Sequence, residues 1–145
     1  MSELAMTRAL SFRHSIASLF IAGFIATIVF HQAVFSVWYL MGTVPNPPFN
    51  FARTAPFGVP AIWSLAFFGG LWGIAYGWVE NKFPDGAMYW IAALIFGALG
   101  PTLVGRLIVA PLKGQPIVLD FSLWRGFLIN GVWGLGTAAL LRWRP

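Results

Sequence analysis

Residues 16–40 read IASLFIAGFIATIVFHQAVFSVWYL, a long apolar run broken only by a few polar groups, among them His31 and Gln32. An α-helix rises about 1.5 Å per residue, so roughly 20 apolar residues cross the hydrocarbon of a bilayer. Residues 16–40 are long enough to cross with some tilt. A cleavable signal peptide would carry a shorter apolar core, about 7–15 residues, followed by a small-residue cleavage site. The MGTVPNPP at 41–48 offers none. The run reads as an uncleaved span.

Working outward, three more apolar runs follow, at about 59–79, 87–112 and 121–141. GTVPNPPFNFARTAP at 42–56 is a proline-rich loop whose Phe49 and Phe51 suit the membrane interface. Pro60 is acceptable in the first turn of the second span. FPDG at 83–86 is a tight turn, and KGQP at 113–116 is another. Pro101 falls near the middle of the third span, where a missing backbone N–H predicts a kink that membrane bundles tolerate. Asp120 is placed to cap the fourth span. Trp38, Tyr39, Trp78, Tyr89, Trp90, Trp124 and Trp143 fall near the span ends, as an aromatic belt requires. The expected fold is all-α: an integral membrane four-helix bundle forming one transmembrane domain over residues 1–145.

Composition agrees. Hydrophobic residues make up 59% of the chain and charged residues 9%, against about 25% charged in soluble proteins. The mean hydropathy is +0.77. A soluble chain this small needs a polar coat that nine Lys/Arg and four Asp/Glu cannot supply. The +5 charge forms no stripe, so it suits anionic headgroups and not a nucleic acid. Membrane lipids are the expected surroundings. With no cysteine, disulfides, thiolate metal sites and cysteine nucleophiles are excluded. Arg8, Arg13, Lys82, Arg142 and Arg144 lie on the side of the two termini and the 80–86 turn. Arg53 and Lys113 lie opposite, with Arg106 and Arg125 near the same end. The positive-inside bias puts both termini in the cytoplasm.

Small residues recur at helical spacing: Gly69, Gly73 and Gly77 on the second span, Gly97, Pro101 and Gly105 on the third, Gly126, Asn130 and Gly134 on the fourth. Such faces let helix backbones approach closely where lipid removes the usual hydrophobic drive. They suit packing within one chain or an interface with a second copy or partner. The halves also resemble each other. Ile16–Val34 laid on Ile91–Val109 matches Ile16, Ala17, Leu19, Thr27, Val29 and Val34, and sets His31 opposite Arg106. Trp63, Gly70, Trp72 and Gly73 align with Trp124, Gly131, Trp133 and Gly134. Two tandem hairpins related by a pseudo-two-fold axis would account for this; chance matching of apolar helices is the other explanation.

Few groups carry chemistry. His31 lies near mid-span, where a neutral imidazole needs a partner: Asn130, Gln32 of a second copy, or a carbonyl freed by Pro101. It is a packing histidine or a proton- or ligand-handling one. Arg106 either snorkels to headgroups or faces inward toward an anion or lipid phosphate. His31, Asn130 and Arg106 form the candidate intramembrane polar site. Glu80 and Asp120 read as span-end residues, with a transport role as the other option. The two histidines, His14 and His31, are too few and too separated for a histidine-rich metal or haem site, so no metal or cofactor is expected. No nucleophile-elbow, zincin, phosphate-loop or dinucleotide motif is present, and nothing argues for catalysis.

AGFIAT at 22–27, WGIAYG at 72–77, the FPDG turn and APLKG at 110–114 resemble the YagU-like and related uncharacterised four-span families of small bacterial inner-membrane proteins. The resemblance implies a fold and a bacterial inner-membrane location and carries over no site residue. The expected function is a non-enzymatic accessory or structural component, as a homo-oligomer or within a larger membrane complex. The alternative is a small transporter or channel subunit with its polar site between the helices. A lipid-handling enzyme would need Glu80 or Asp120 in a polar pocket at the interface.

Overall fold

A computed structural model describes residues 13–143; the tail through residue 12, with Arg8, and Arg144 lie outside the described residues. Among the described residues the chain is helical apart from one two-residue ladder and the connecting loops. Helix α1 spans Ile16–Leu40 and α3 spans Ala87–Leu112. Helix α2 spans Ala61–Glu80, and α4 spans Leu123–Arg142. Strands β1 (Arg53–Thr54) and β2 (Val59–Pro60) pair antiparallel within the loop after α1.

Local hydrogen bonding sets the helix starts. Ser15 caps α1, its hydroxyl accepting from Ser18 N at 3.1 Å. Helix α2 begins two residues later than its sequence implies, because Val59 and Pro60 belong to the ladder and Thr54 Oγ1 donates to Val59 O at 2.7 Å. Pro60 is thereby the cap of α2, not a member of its first turn. Asp120 does not cap α4. Its Oδ1 accepts from Ser122 N at 2.9 Å and Ser122 Oγ at 2.5 Å, closing a turn that delays the helix to Leu123.

Two helices change pitch. Thr27–His31 of α1 and Gly105–Val109 of α3 are π-helical. In α1 the change begins where Gly23 O accepts both Thr27 Oγ1 and Trp133 Nε1, each at 3.0 Å. In α3 it follows Pro101, through which the helix continues. Extra donors and missing N–H groups are the usual causes of such distortions.

The helices alternate in direction. His14, before α1, reaches Glu80 at the end of α2; Glu80 accepts from Tyr89 at the start of α3; Arg142 at the end of α4 stacks on Tyr89. At the opposite end Trp38 of α1 meets Trp124 of α4 edge-on, with ring centroids 5.9 Å apart. Helix α1 lies along α2, α3 lies along α4, and α1 also packs on α4, whereas the backbones of α2 and α3 stand apart and meet through side chains at one end.

The interior is rich in small residues, and much of the surface is large and apolar. Ala22, Ala26, Ala66, Ala93 and Ala138 are buried, while Ile21, Phe67, Trp78, Ile95 and Ile108 are exposed. This inversion suits lipid as the solvent. Helices α1, α2 and α3 are each long and apolar enough to cross a bilayer. Helix α4, 20 residues long, is less apolar, and its middle is the most enclosed, with Trp133, Gly134, Gly136, Thr137 and Ala138 all buried.

The hairpins share one packing scheme. A Cβ on Gly73 would strike Leu19 O and come within 3.1 Å of Gly23 Cα; a Cβ on Gly134 would strike Ala93 O and come within 3.0 Å of Gly97 Cα. Gly23 therefore corresponds to Gly97, Leu19 to Ala93, and Gly73 to Gly134. That register for the first helices differs by one residue from the apolar alignment, and sets His31 opposite Gly105 instead of Arg106. Ile16, Ala17 and Val29, which supported the other alignment, are exposed and bear little on register. The register of the second helices, Gly73 on Gly134, is the one the tryptophans and glycines imply.

Candidate functional site

The separation of α2 from α3 leaves a cavity of about 480 Å³. Its inner end is walled by Trp72 and Trp133, and it runs past Thr27, His31, Ser64 and Asn130 to Thr54 and Lys113. Its flank includes Leu65, Phe68 and Val109, all exposed on the outer face of the bundle. The space is therefore walled by apolar and aromatic groups with a few polar ones, the usual make-up of a small-molecule site.

Each polar side chain has a distinct status. Thr27 is committed to Gly23 O. Asn130 Nδ2 donates to Thr102 Oγ1 at 2.9 Å, leaving its amide oxygen as an acceptor. His31 Nδ1 lies 3.4 Å from Gln32 Nε2, a long contact in which the amide is the donor. That pairing puts the imidazole proton on Nε2. Gln32 in turn accepts from Phe49 N at 2.8 Å, tying the loop to α1. The histidine's neighbour is thus the next residue of its own chain, and Asn130 turns to Thr102. Lys113 and His31 are the basic groups of the lining, and among the described residues no carboxylate joins them.

Arg106 belongs to a second cavity, also about 480 Å³, with Thr102, Gln115, Gly126 and Asn130. Pro101, Gly105 and Asn130 line both spaces, so α3 with Asn130 of α4 forms the wall between them. Asn130 joins His31 on one side and Arg106 on the other; His31 and Arg106 share no cavity. The guanidinium does not extend freely to the surface. Arg106 Nη2 donates to Ser122 Oγ at 3.2 Å, and Ser122 bonds Asp120. Those bonds from the Ser122 hydroxyl and amide hold the Asp120 carboxyl below its ordinary value of 3.8, with Arg106 adding a smaller effect.

The small-residue positions divide clearly. Gly69 meets Thr27 and Gly23, Gly73 meets Leu19 and Gly23, and Gly77 meets the Leu19 side chain. Gly97 and Gly134 meet each other, and Gly126 meets Thr102. All are used between helices of one chain. Gly105 is the exception in this set: a methyl added there would find nothing within 4 Å, and the residue faces the cavities.

A polar cluster at the closed end has no counterpart in the apolar patterning of the sequence. Glu80 is 1% exposed, and its Oε1 accepts from Tyr89 OH at 2.6 Å; Tyr89 OH accepts from Tyr76 OH at 2.8 Å. His14 Nε2 lies 3.4 Å from Glu80 Oε2. The Arg142 guanidinium carbon sits 3.4 Å from the centre of the Tyr89 ring. Tyr76 and Glu80 are one turn apart on α2, a spacing visible in the sequence, but their partners come from three other segments. Neither Glu80 nor Asp120 lines either cavity.

Comparison with family models, curated proteins and solved structures returned no match.

Proposed function

We propose that the chain is a four-span helical bundle of a bacterial inner membrane, termini in the cytoplasm, which binds a small amphipathic solute between α2 and α3 and acts as a small transporter or channel subunit. The observation that carries this reading is the cavity holding His31, Ser64 and Asn130 where α2 and α3 stand apart. Its basic groups, with no carboxylate among the described lining residues, favour a neutral or anionic solute that accepts hydrogen bonds. The exposed flank at Leu65, Phe68 and Val109 would admit an apolar tail from the bilayer. The glycine faces support the same choice, since their use between helices of one chain leaves less reason for an accessory role. In the YagU-like resemblance, too, only fold and location are implied.

The absence of cysteine makes the test direct. In intact membranes Ser64→Cys should react with a charged, membrane-impermeant methanethiosulfonate, and Leu71→Cys, on the exposed outer face, should not. Equal protection of both would mean a dry interior and would return the chain to the accessory reading. Solute uptake into proteoliposomes that is indifferent to His31→Ala would remove that histidine from the site.

A further inference from the structure

The cavity occupies one half of the bundle, and the other half is closed by an aromatic block. Trp72 at the inner end of the cavity contacts Phe96 edge-on, with centroids 6.0 Å apart. Phe96 meets Tyr76 at 5.6 Å, and Tyr76 meets Phe83 at 5.5 Å. Tyr76 and Tyr89 are fully buried and are linked by their hydroxyls to Glu80. An unbroken run of contacts thus joins the cavity to the carboxylate.

Glu80 is the singular group of this block. A buried carboxylate is costly unless paired, and its Oε2 has no hydrogen-bond partner among the described residues. The His14 imidazole, itself partly exposed, stands near that oxygen at 3.4 Å. Every element packed around Glu80 presents a titratable or charged group: His14 from the segment before α1, Tyr76 from α2, Tyr89 from α3 and Arg142 from α4, stacked on Tyr89. Lys82 and Asp85, in the turn that follows, are exposed.

We propose that Glu80 is a proton-binding site, and that its protonation unlocks the end of the bundle that closes the cavity. A proton delivered from water through the His14 side adds to Oε2, and the carboxylate becomes a neutral acid. No other bond is made or broken. The negative charge that His14 and the Arg142-stacked Tyr89 surround is then gone, and the attraction holding the N-terminal segment, α2, α3 and α4 together at this end falls. Two of these elements, α2 and α3, carry the aromatic block, so loosening their ends loosens the closure. The second half of this proposal rests on the cavity reading above; the first half does not.

The test uses the full chain in nanodiscs. On acidification, infrared difference spectra should show a protonated-carboxyl C=O stretch that Glu80→Gln abolishes and that Asp85→Asn and Asp120→Asn retain. Tyr89→Phe, which keeps the acid but removes its donor, should shift the band to higher frequency. This variant decides the matter if Glu80→Gln fails to fold. If no component of the carboxyl band is lost in Glu80→Gln, or none is moved by Tyr89→Phe, the proton site is overturned. Spin labels at Lys82→Cys and Trp143→Cys report on the helix ends. Their separation should lengthen on acidification and stay long at all pH values in Glu80→Gln; a separation independent of pH overturns the unlocking. Failure of Ser64→Cys to react, with the carboxyl band intact, would instead count against the cavity alone.

Discussion

At Gly73 the Leu19 carbonyl oxygen already occupies the place of a methyl, and at Gly134 the Ala93 carbonyl does. Backbone cannot rotate aside as a side chain can, so any enlargement must push the helices apart. Overpacking a well-filled interior costs about 1–3 kcal/mol. Gly73→Leu and Gly134→Leu should each reach about 3 kcal/mol or fail to assemble, as read by thermal unfolding in detergent. Gly105→Ala, with open space around the added methyl, should stay within about 0.5 kcal/mol of the parent. Trp133→Phe removes the donor to Gly23 O and replaces a buried indole with a smaller ring, a loss of at least about 1 kcal/mol by the same measurement. At this scale the glycine pattern was legible, because a four-residue repeat on one helix needs no knowledge of the partner. The Glu80 cluster was not, because Tyr89, His14 and Arg142 are brought to it by three different chain segments.

Among elements, the helices themselves were easy to find. Apolar runs show in the sequence, and the extents of α1 and α3 agree with the runs read there. The starts of α2 and α4 shifted because polar groups in the preceding loops claim backbone partners that the helix would otherwise hold. Pro101 marked a distortion in α3, yet the π-turn lies one turn beyond it and carries Arg106; a second π-turn carries His31 without any proline. The link between α3 and α4 gives a pH test. The Asp120 carboxyl is held low in the folded chain, so its contribution to stability is present above its ordinary value and is lost as pH falls through the folded one. Ser122→Ala removes the hydroxyl that contributes most. Carbon-detected NMR should then show the Asp120 titration midpoint rise toward 3.8, with Arg106 freed from its hydrogen bond.

For the whole molecule, each hairpin packs mainly on itself, and α1 against α4 joins the two. A chain cut within residues 81–86 and expressed as two pieces should therefore reassemble, with the halves co-purifying. Separate pieces after gentle extraction would show that the turn itself holds the bundle together. An exact two-fold would repeat the α1–α4 contact between α2 and α3, with Trp72 bonded to Gly97 as Trp133 is to Gly23. Instead Trp72 lies over Gly100 and Phe96, and the close approach of the two backbones is not repeated. The cavity is that missing approach, which no alignment of the halves could reveal, since Trp72 and Trp133 are identical residues in matching positions.

If the cavity binds a solute as proposed, the gap between α2 and α3 also sets the phase from which that solute is drawn. A solute reaching the cavity past Leu65, Phe68 and Val109 arrives from the hydrocarbon, already dissolved there. Its effective concentration is then its mole fraction in lipid, and its apparent affinity in water should rise with its partition coefficient. Diluting the protein with more lipid at constant total solute should weaken occupancy, although the aqueous volume is unchanged.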